Sequence, residues 1–218
     1  MNKLEKVISI GSCCDSLFLS KILDIRERGP VDNMGAHNFK DIFKLFNGDF
    51  LNSILQHTYC YSDYNPFGDA PMCHFDGFFM MHNDYRLKKT KVHLLERCHN
   101  FELYCNNAKQ NKNLFFLYSI IWTDEKLSFK EQINTFNKLP NYVKNKMIII
   151  NGRYKDTKKI FNFLNYPIFY YDTNKLKSNN FNDDVNKKFK IFWDANKNFY
   201  EKRNNCKYDD FEIKNEES

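Results

Sequence analysis

Apolar residues recur along this chain in two patterns. The first is the short continuous run: Val7-Ile8-Ser9-Ile10, Phe78 to Met81, Leu114 to Trp122, Met147 to Ile150 and Ile168 to Tyr171. Such runs predict strands, and the longest, LFFLYSIIW, predicts one buried on both faces. The second pattern returns every three or four residues and predicts helices. It covers Ser12 to Leu23 through Leu17, Phe18, Leu19, Ile22 and Leu23, and then 39–55, where Asn47-Gly48 divides it into two short helices. Residues 86–105 set Leu87, Leu94, Cys98, Phe101 and Cys105 on one face. Helices at 128–138, 156–164 and 184–203 follow, the first opened by Ser128-x-x-Glu131, the spacing of a capping box. Residues 31–38 read as a loop. Residues 57–77 read as a long irregular segment, of a length that in compact domains usually serves a site or a lid.

The order is strand then helix at the start, and strand, helix, strand, helix, strand, helix from Leu114 on. That order predicts an α/β fold: three layers, a mainly parallel sheet and helices on both faces. One domain is expected over 1–203, with a polar, partly disordered tail at 204–218. In such sheets ligands meet the carboxyl ends of the strands. Gly11–Cys14, Trp122–Asp124, Asn151–Arg153 and Asp172 would then share one edge.

Composition narrows the partners. The chain has 218 residues, 17% of them aromatic, and a net charge of +6 spread without a long basic block. No nucleic-acid motif accompanies that charge, so no nucleic-acid partner is expected. No apolar run nears the ~18 residues of a membrane helix, and no secretory leader is evident at Met1. The seven cysteines are odd in number and none stands in C-x-x-C spacing, so neither zinc nor a disulfide framework is indicated. Free thiols in a reducing cytoplasm are expected, although a protein exported without a cleaved signal would look the same. No cofactor motif is present, so no cofactor is expected. His57, Cys60, Cys73 and His74 lie close in sequence and form a conceivable metal cluster; surface loop residues are the plainer reading.

The turn after the first strand carries the candidate chemistry. Gly11 ends the strand, and Ser12, Cys13 and Cys14 open the next helix. A thiol at a helix start has a lowered pKa, and the unpaired N–H groups there can hold an oxyanion. Cys14 is therefore a candidate nucleophile, with the N–H groups of Cys13 to Asp15 as the oxyanion site. Buried filler is the ordinary fate of such cysteines. Ser12 competes as a nucleophile, because Gly-Ser turns after a first strand occur in α/β ester hydrolases; helix capping is its simpler role. His82, delivered by the apolar run 78–81, is suited to act as general base. Asp32, Asp84 or Asp172 could orient it, and turn capping accounts equally for Asp32. His93 and His99 read as solvated helix residues.

The segments Ile8-Ser9-Ile10-Gly11-Ser12-Cys13-Cys14, Gly29-Pro30-Val31-Asp32-Asn33, Phe50-Leu51 and Met81-His82-Asn83-Asp84 resemble a bacterial and viral family of unknown function. That family is catalogued as papain-like cysteine peptidases. Its pattern is a strand ending Gly-Ser-x-Cys, then Pro-Phe-Asp-Trp, then a His-Asp pair, then an Arg-containing helix before a buried strand. The resemblance implies Cys14 as nucleophile, His82 as base and Asp32 as the motif acid. It places Asn33 at the motif Trp and Arg97 at the helix Arg, both as substrate-binding positions. Val31 and Asn33 replace Phe and Trp, so the aromatic wall beside the Asp is missing. The family name also implies an α+β papain-like architecture, which the alternating elements read above do not resemble. The expected function is a cysteine-dependent hydrolase, either a peptidase or an acyl transferase, acting on a peptide, acyl or glycan substrate. A serine esterase or acyltransferase acting on a glycan through Ser12, and a non-catalytic interaction protein on the same scaffold, remain open.

Overall fold

A computed structural model describes residues 4–10, 14–27, 29, 34–36, 39–46, 50, 60–62, 71–75, 77–80, 86–120, 128–152, 155–171 and 182–205. In chain order the elements begin with β1 (Lys6–Ser9), α1 (Cys14–Ile22), β2 (Arg26–Glu27), β3 (Met34–Ala36) and α2 (Phe39–Lys44). Then come β4 (Cys60–Ser62), β5 (Met72–Phe75), β6 (Phe78–Met80), α3 (Lys88–Gln110) and β7 (Leu114–Ile120). The chain continues through α4 (Phe129–Asn137), α5 (Asn141–Lys146), β8 (Met147–Gly152), α6 (Lys155–Phe163), β9 (Ile168–Phe169) and α7 (Asn182–Asn205).

The main sheet has the order β2-β1-β7-β8-β9, and every neighbouring pair is parallel. Alternation along its strands divides the apolar residues between two faces. Val7, Phe115, Leu117, Ile148, Ile150 and Phe169 meet Leu19 of α1 and Val185, Phe189 and Tyr200 of α7. Ile8, Phe116, Tyr118, Met147 and Ile149 meet Phe101 of α3, Phe136 of α4, Val143 of α5 and Phe161 of α6. Both faces are covered, which is why β7 reads as an unbroken apolar run and is buried throughout. The fold is the three-layer α/β arrangement expected from the order of elements. The α+β papain-like alternative does not describe this parallel sheet.

Inserted between β2 and α3 is a small antiparallel sheet of order β3-β6-β5-β4. Its Cys73, Phe75, Phe78 and Met80 belong to the same core cluster as Ile8 and Ile10 of the main sheet. The β5–β6 turn needs Gly77, whose φ is +85°, and a Cβ there would overlap the carboxyl group of Asp41. Asp41 is buried and pairs with Lys44 at 3.0 Å.

Several elements escape the sequence pattern. β2 has two polar residues, and β3, β4 and β5 lie where loop or irregular chain is expected. Strands of two to four residues are fixed by distant partners and show too few positions to display a period. α5, six residues with Val143 as its one aliphatic side chain, follows Pro140 and is equally quiet. α3 runs on to Gln110, where Ala108 completes its buried stripe; Leu87, expected on that stripe, is 57% exposed. The capping box at Ser128 and Glu131 is present. Of the second helix expected in 39–55, only Phe50 is described. α7 reaches Asn205, and the expected tail beyond it lies outside the described residues. Among the described residues no helix is long and apolar enough to cross a membrane.

Candidate functional site

The strand order fixes where a site can form. From β1 the chain first moves to β2 on one side, and later resumes at β7 on the other side before stepping outward to β8 and β9. The winding therefore reverses between β1 and β7, and the crevice outside their carboxyl ends is the ligand position of an open parallel sheet. Cys14 is the first residue of α1, the helix that follows β1 there. Gly11, Ser12 and Cys13 lie outside the described residues, as does the side chain of Cys14.

What lies beneath that turn is described. Ser9, the last residue of β1, and Ser16, in the first turn of α1, are both fully buried, and their hydroxyls meet at 2.5 Å. This short bond ties the start of α1 to the end of β1. Ser20, one turn on, donates to the Leu17 carbonyl at 2.9 Å. On the neighbouring strand, Ser119 is also fully buried, and its Oγ has no hydrogen-bond partner among the described residues.

His82, Asp32, Asp84, Asn33 and Asp172 lie outside the described residues. The strands adjoining three of them in sequence are nevertheless paired. β3 and β6 are antiparallel with Met34 opposite Met80, so the amino end of β3 coincides with the carboxyl end of β6. Asp32 and Asn33 precede Met34 directly in sequence, and His82 follows Met80 by two positions. The sequence alone places those motifs fifty residues apart, and this register is the link it does not display.

Arg97 is half-buried in α3, on the face of the sheet opposite α1. The charge of Arg97 acts on the adjacent Cys98, but burial dominates and pushes that thiol up to about 12. Cys105 is likewise pushed up to about 12, chiefly by burial. Neither thiol forms thiolate at neutral pH, so neither competes as a nucleophile. His93 and His99 are exposed, as expected, and His93 Nδ1 meets Glu96 at 3.2 Å.

Of the conceivable metal cluster, His57 lies outside the described residues. Cys60 and His74 stand opposite each other across β4 and β5, while Cys73 faces the other way into the core. Among the described residues no three His, Cys, Asp or Glu side chains gather as metal ligands. Comparison of the chain with protein-family models, curated proteins and solved structures gives no match.

Proposed function

We propose that this protein is a thiol-dependent hydrolase or acyl transferase with Cys14 as its nucleophile. One observation carries the reading: Cys14 begins α1 just beyond the carboxyl end of β1, where the strand order reverses. A thiol at that place is stabilised as thiolate by the first-turn N–H groups, which also suit an oxyanion. In the proposed step His82 accepts the thiol proton and returns it to the leaving group, while Asp32 or Asp84 orients the imidazole. The β3–β6 register supports the pairing of His82 with Asp32, since β6, which leads toward His82, ends where β3, which follows Asp32, begins. A peptide, acyl or glycan ester is the proposed substrate, in a reducing cytoplasm where Cys60, Cys73, Cys98 and Cys105 are free thiols.

Labelling with a thiol-directed electrophile, mapped residue by residue, tests this reading. Wild type is expected to react at Cys14, and Cys14→Ala to lose that label while keeping its circular dichroism. Equal total labelling in the variant rejects the proposal. The all-parallel sheet also supports a second reading, an esterase or acyltransferase acting through Ser12. A fluorophosphonate that modifies Ser12, with Cys14 silent, decides for it. Silence of both residues decides for a non-catalytic interaction protein.

A further inference from the structure

Ser119 is the one residue of the β7 run Leu114–Ile120 that is neither aliphatic nor aromatic. Phe115 and Leu117 precede it on the same face, packed against Leu19 of α1. A buried hydroxyl without a partner weakens a fold, and Ala or Val would fill such a position at no loss of hydrogen bonding. The location gives the hydroxyl a use. Ser9 of β1 stands opposite Leu117, so Ser119 lies two residues, about 7 Å, nearer the carboxyl edge. Ser9 is bonded to Ser16 of α1, so the level just beyond it is that of the first turn of α1, where Cys14 stands. The unpartnered hydroxyl of β7 thus lies at the level of the first turn of α1, on the face of the sheet that α1 covers.

We infer that Ser119 is an oxyanion donor: its hydroxyl, idle at rest, hydrogen-bonds the oxygen that becomes negative when Cys14 attacks a carbonyl. This inference rests on the Cys14 reading above. In the step, the Cys14 sulfur forms a bond to the carbonyl carbon as its proton passes to His82. The C=O π pair moves onto oxygen, which Ser119 Oγ–H and the first-turn N–H groups then hold. Collapse of that oxyanion expels the leaving alkoxide or phenoxide and leaves a thioester on Cys14.

Two reagents separate this role from a structural one. p-Nitrophenyl acetate acylates a thiol through an oxyanion, whereas iodoacetamide alkylates it by displacing iodide, with no oxyanion. Ser119→Ala in the full chain is expected to slow acetylation at Cys14 by about a hundredfold to a thousandfold. Alkylation at Cys14 should stay within twofold, and the melting temperature should hold or rise. Ser119→Thr, which keeps the hydroxyl, should retain more of the acetylation rate than the Ala variant. Equal slowing of both reactions, no slowing of either, or a lower melting temperature for Ser119→Ala overturns the inference and leaves the Cys14 reading standing. Wild type inert to both reagents at Cys14 overturns both.

Discussion

Among the described residues, the two edges of the parallel sheet hold their buried polar groups differently. At the amino edge several are tied. Lys146, just before β8, donates to the Asn111 carbonyl, just before β7, and its ammonium lies over the Phe115 ring. Tyr166, just before β9, donates to the Lys144 carbonyl at 2.9 Å and accepts from Arg203 of α7 at 2.8 Å. The Arg203 guanidinium also stacks on the rings of Tyr166 and Phe199. At the carboxyl edge, among the described residues, the Ser9–Ser16 tie stands beside the Ser119 hydroxyl, which has no partner. Asn113 and Asn204 each leave a buried amide oxygen without a partner at the amino edge as well, and Tyr200 of α7, packed on Phe115, does the same with its hydroxyl. Among the described residues, side-chain hydrogen bonds help close the amino edge, and the carboxyl end of β7 holds a buried hydroxyl without a partner.

Substitution of the shared strand should erase this difference. Phe116 is fully buried at the centre of β7, and Phe116→Ala is expected to cost about 3–5 kcal/mol. Chemical denaturation should show that loss, and Cys14 labelling should lose its selectivity with it. Gly77→Ala acts on the inserted sheet alone. It forces a side chain into φ +85° and into the Asp41 carboxyl, for an expected loss of about 2–3 kcal/mol in denaturant melts. If the inserted sheet supplies His82, labelling of Cys14 should slow even under conditions where the variant is fully folded.

pH separates the edges further. Burial pushes Lys146 down to about 8 from its ordinary 10.5, with Lys112 adding repulsion. Below pH 8 the amine is charged in both folded and unfolded chains and stability does not change on its account. Between the two values the unfolded chain holds more protons, so stability rises with pH. A gain of about 1–2 kcal/mol is expected after allowing for solvent screening. Lys146→Met should lose this rise, read as the difference between wild-type and variant urea melts, and leave Cys14 alkylation unchanged. The smallest effect is that of Ser16→Ala, about 1 kcal/mol by the same melts. Its diagnostic consequence is a change in Cys14 alkylation rate that Lys146→Met does not share. Equal changes in both variants would mean that the edges are not distinct.

What the chain displays in its sequence follows from how each region is buried. β7 lies between two helical layers, so nearly every residue is apolar and the run is visible without any structure. The start of α4 is visible because Ser128 and Glu131 satisfy each other's N–H groups within one turn. Of the inserted sheet only β6 is visible, as the apolar run Phe78 to Met81; β3, β4 and β5 are not, since Met34 and Cys60 gain their meaning only from partners far along the chain. The place of Cys14 at a strand-to-helix turn is legible, but the reversal of strand order that makes the turn a ligand position is not. Ser119 did leave a signal, the one residue of LFFLYSII that is neither aliphatic nor aromatic, which a reading for apolar runs passes over.

Site-resolved alkylation by iodoacetamide, followed from acid to mildly alkaline pH by peptide mass spectrometry, tests the carboxyl-edge site most directly. The expected result is that Cys14 reacts fastest, with a midpoint below that of an ordinary thiol, ahead of the exposed Cys60, while Cys98 and Cys105 stay silent. Cys60 reacting first, with Cys14 titrating at or above the ordinary thiol value, would contradict it.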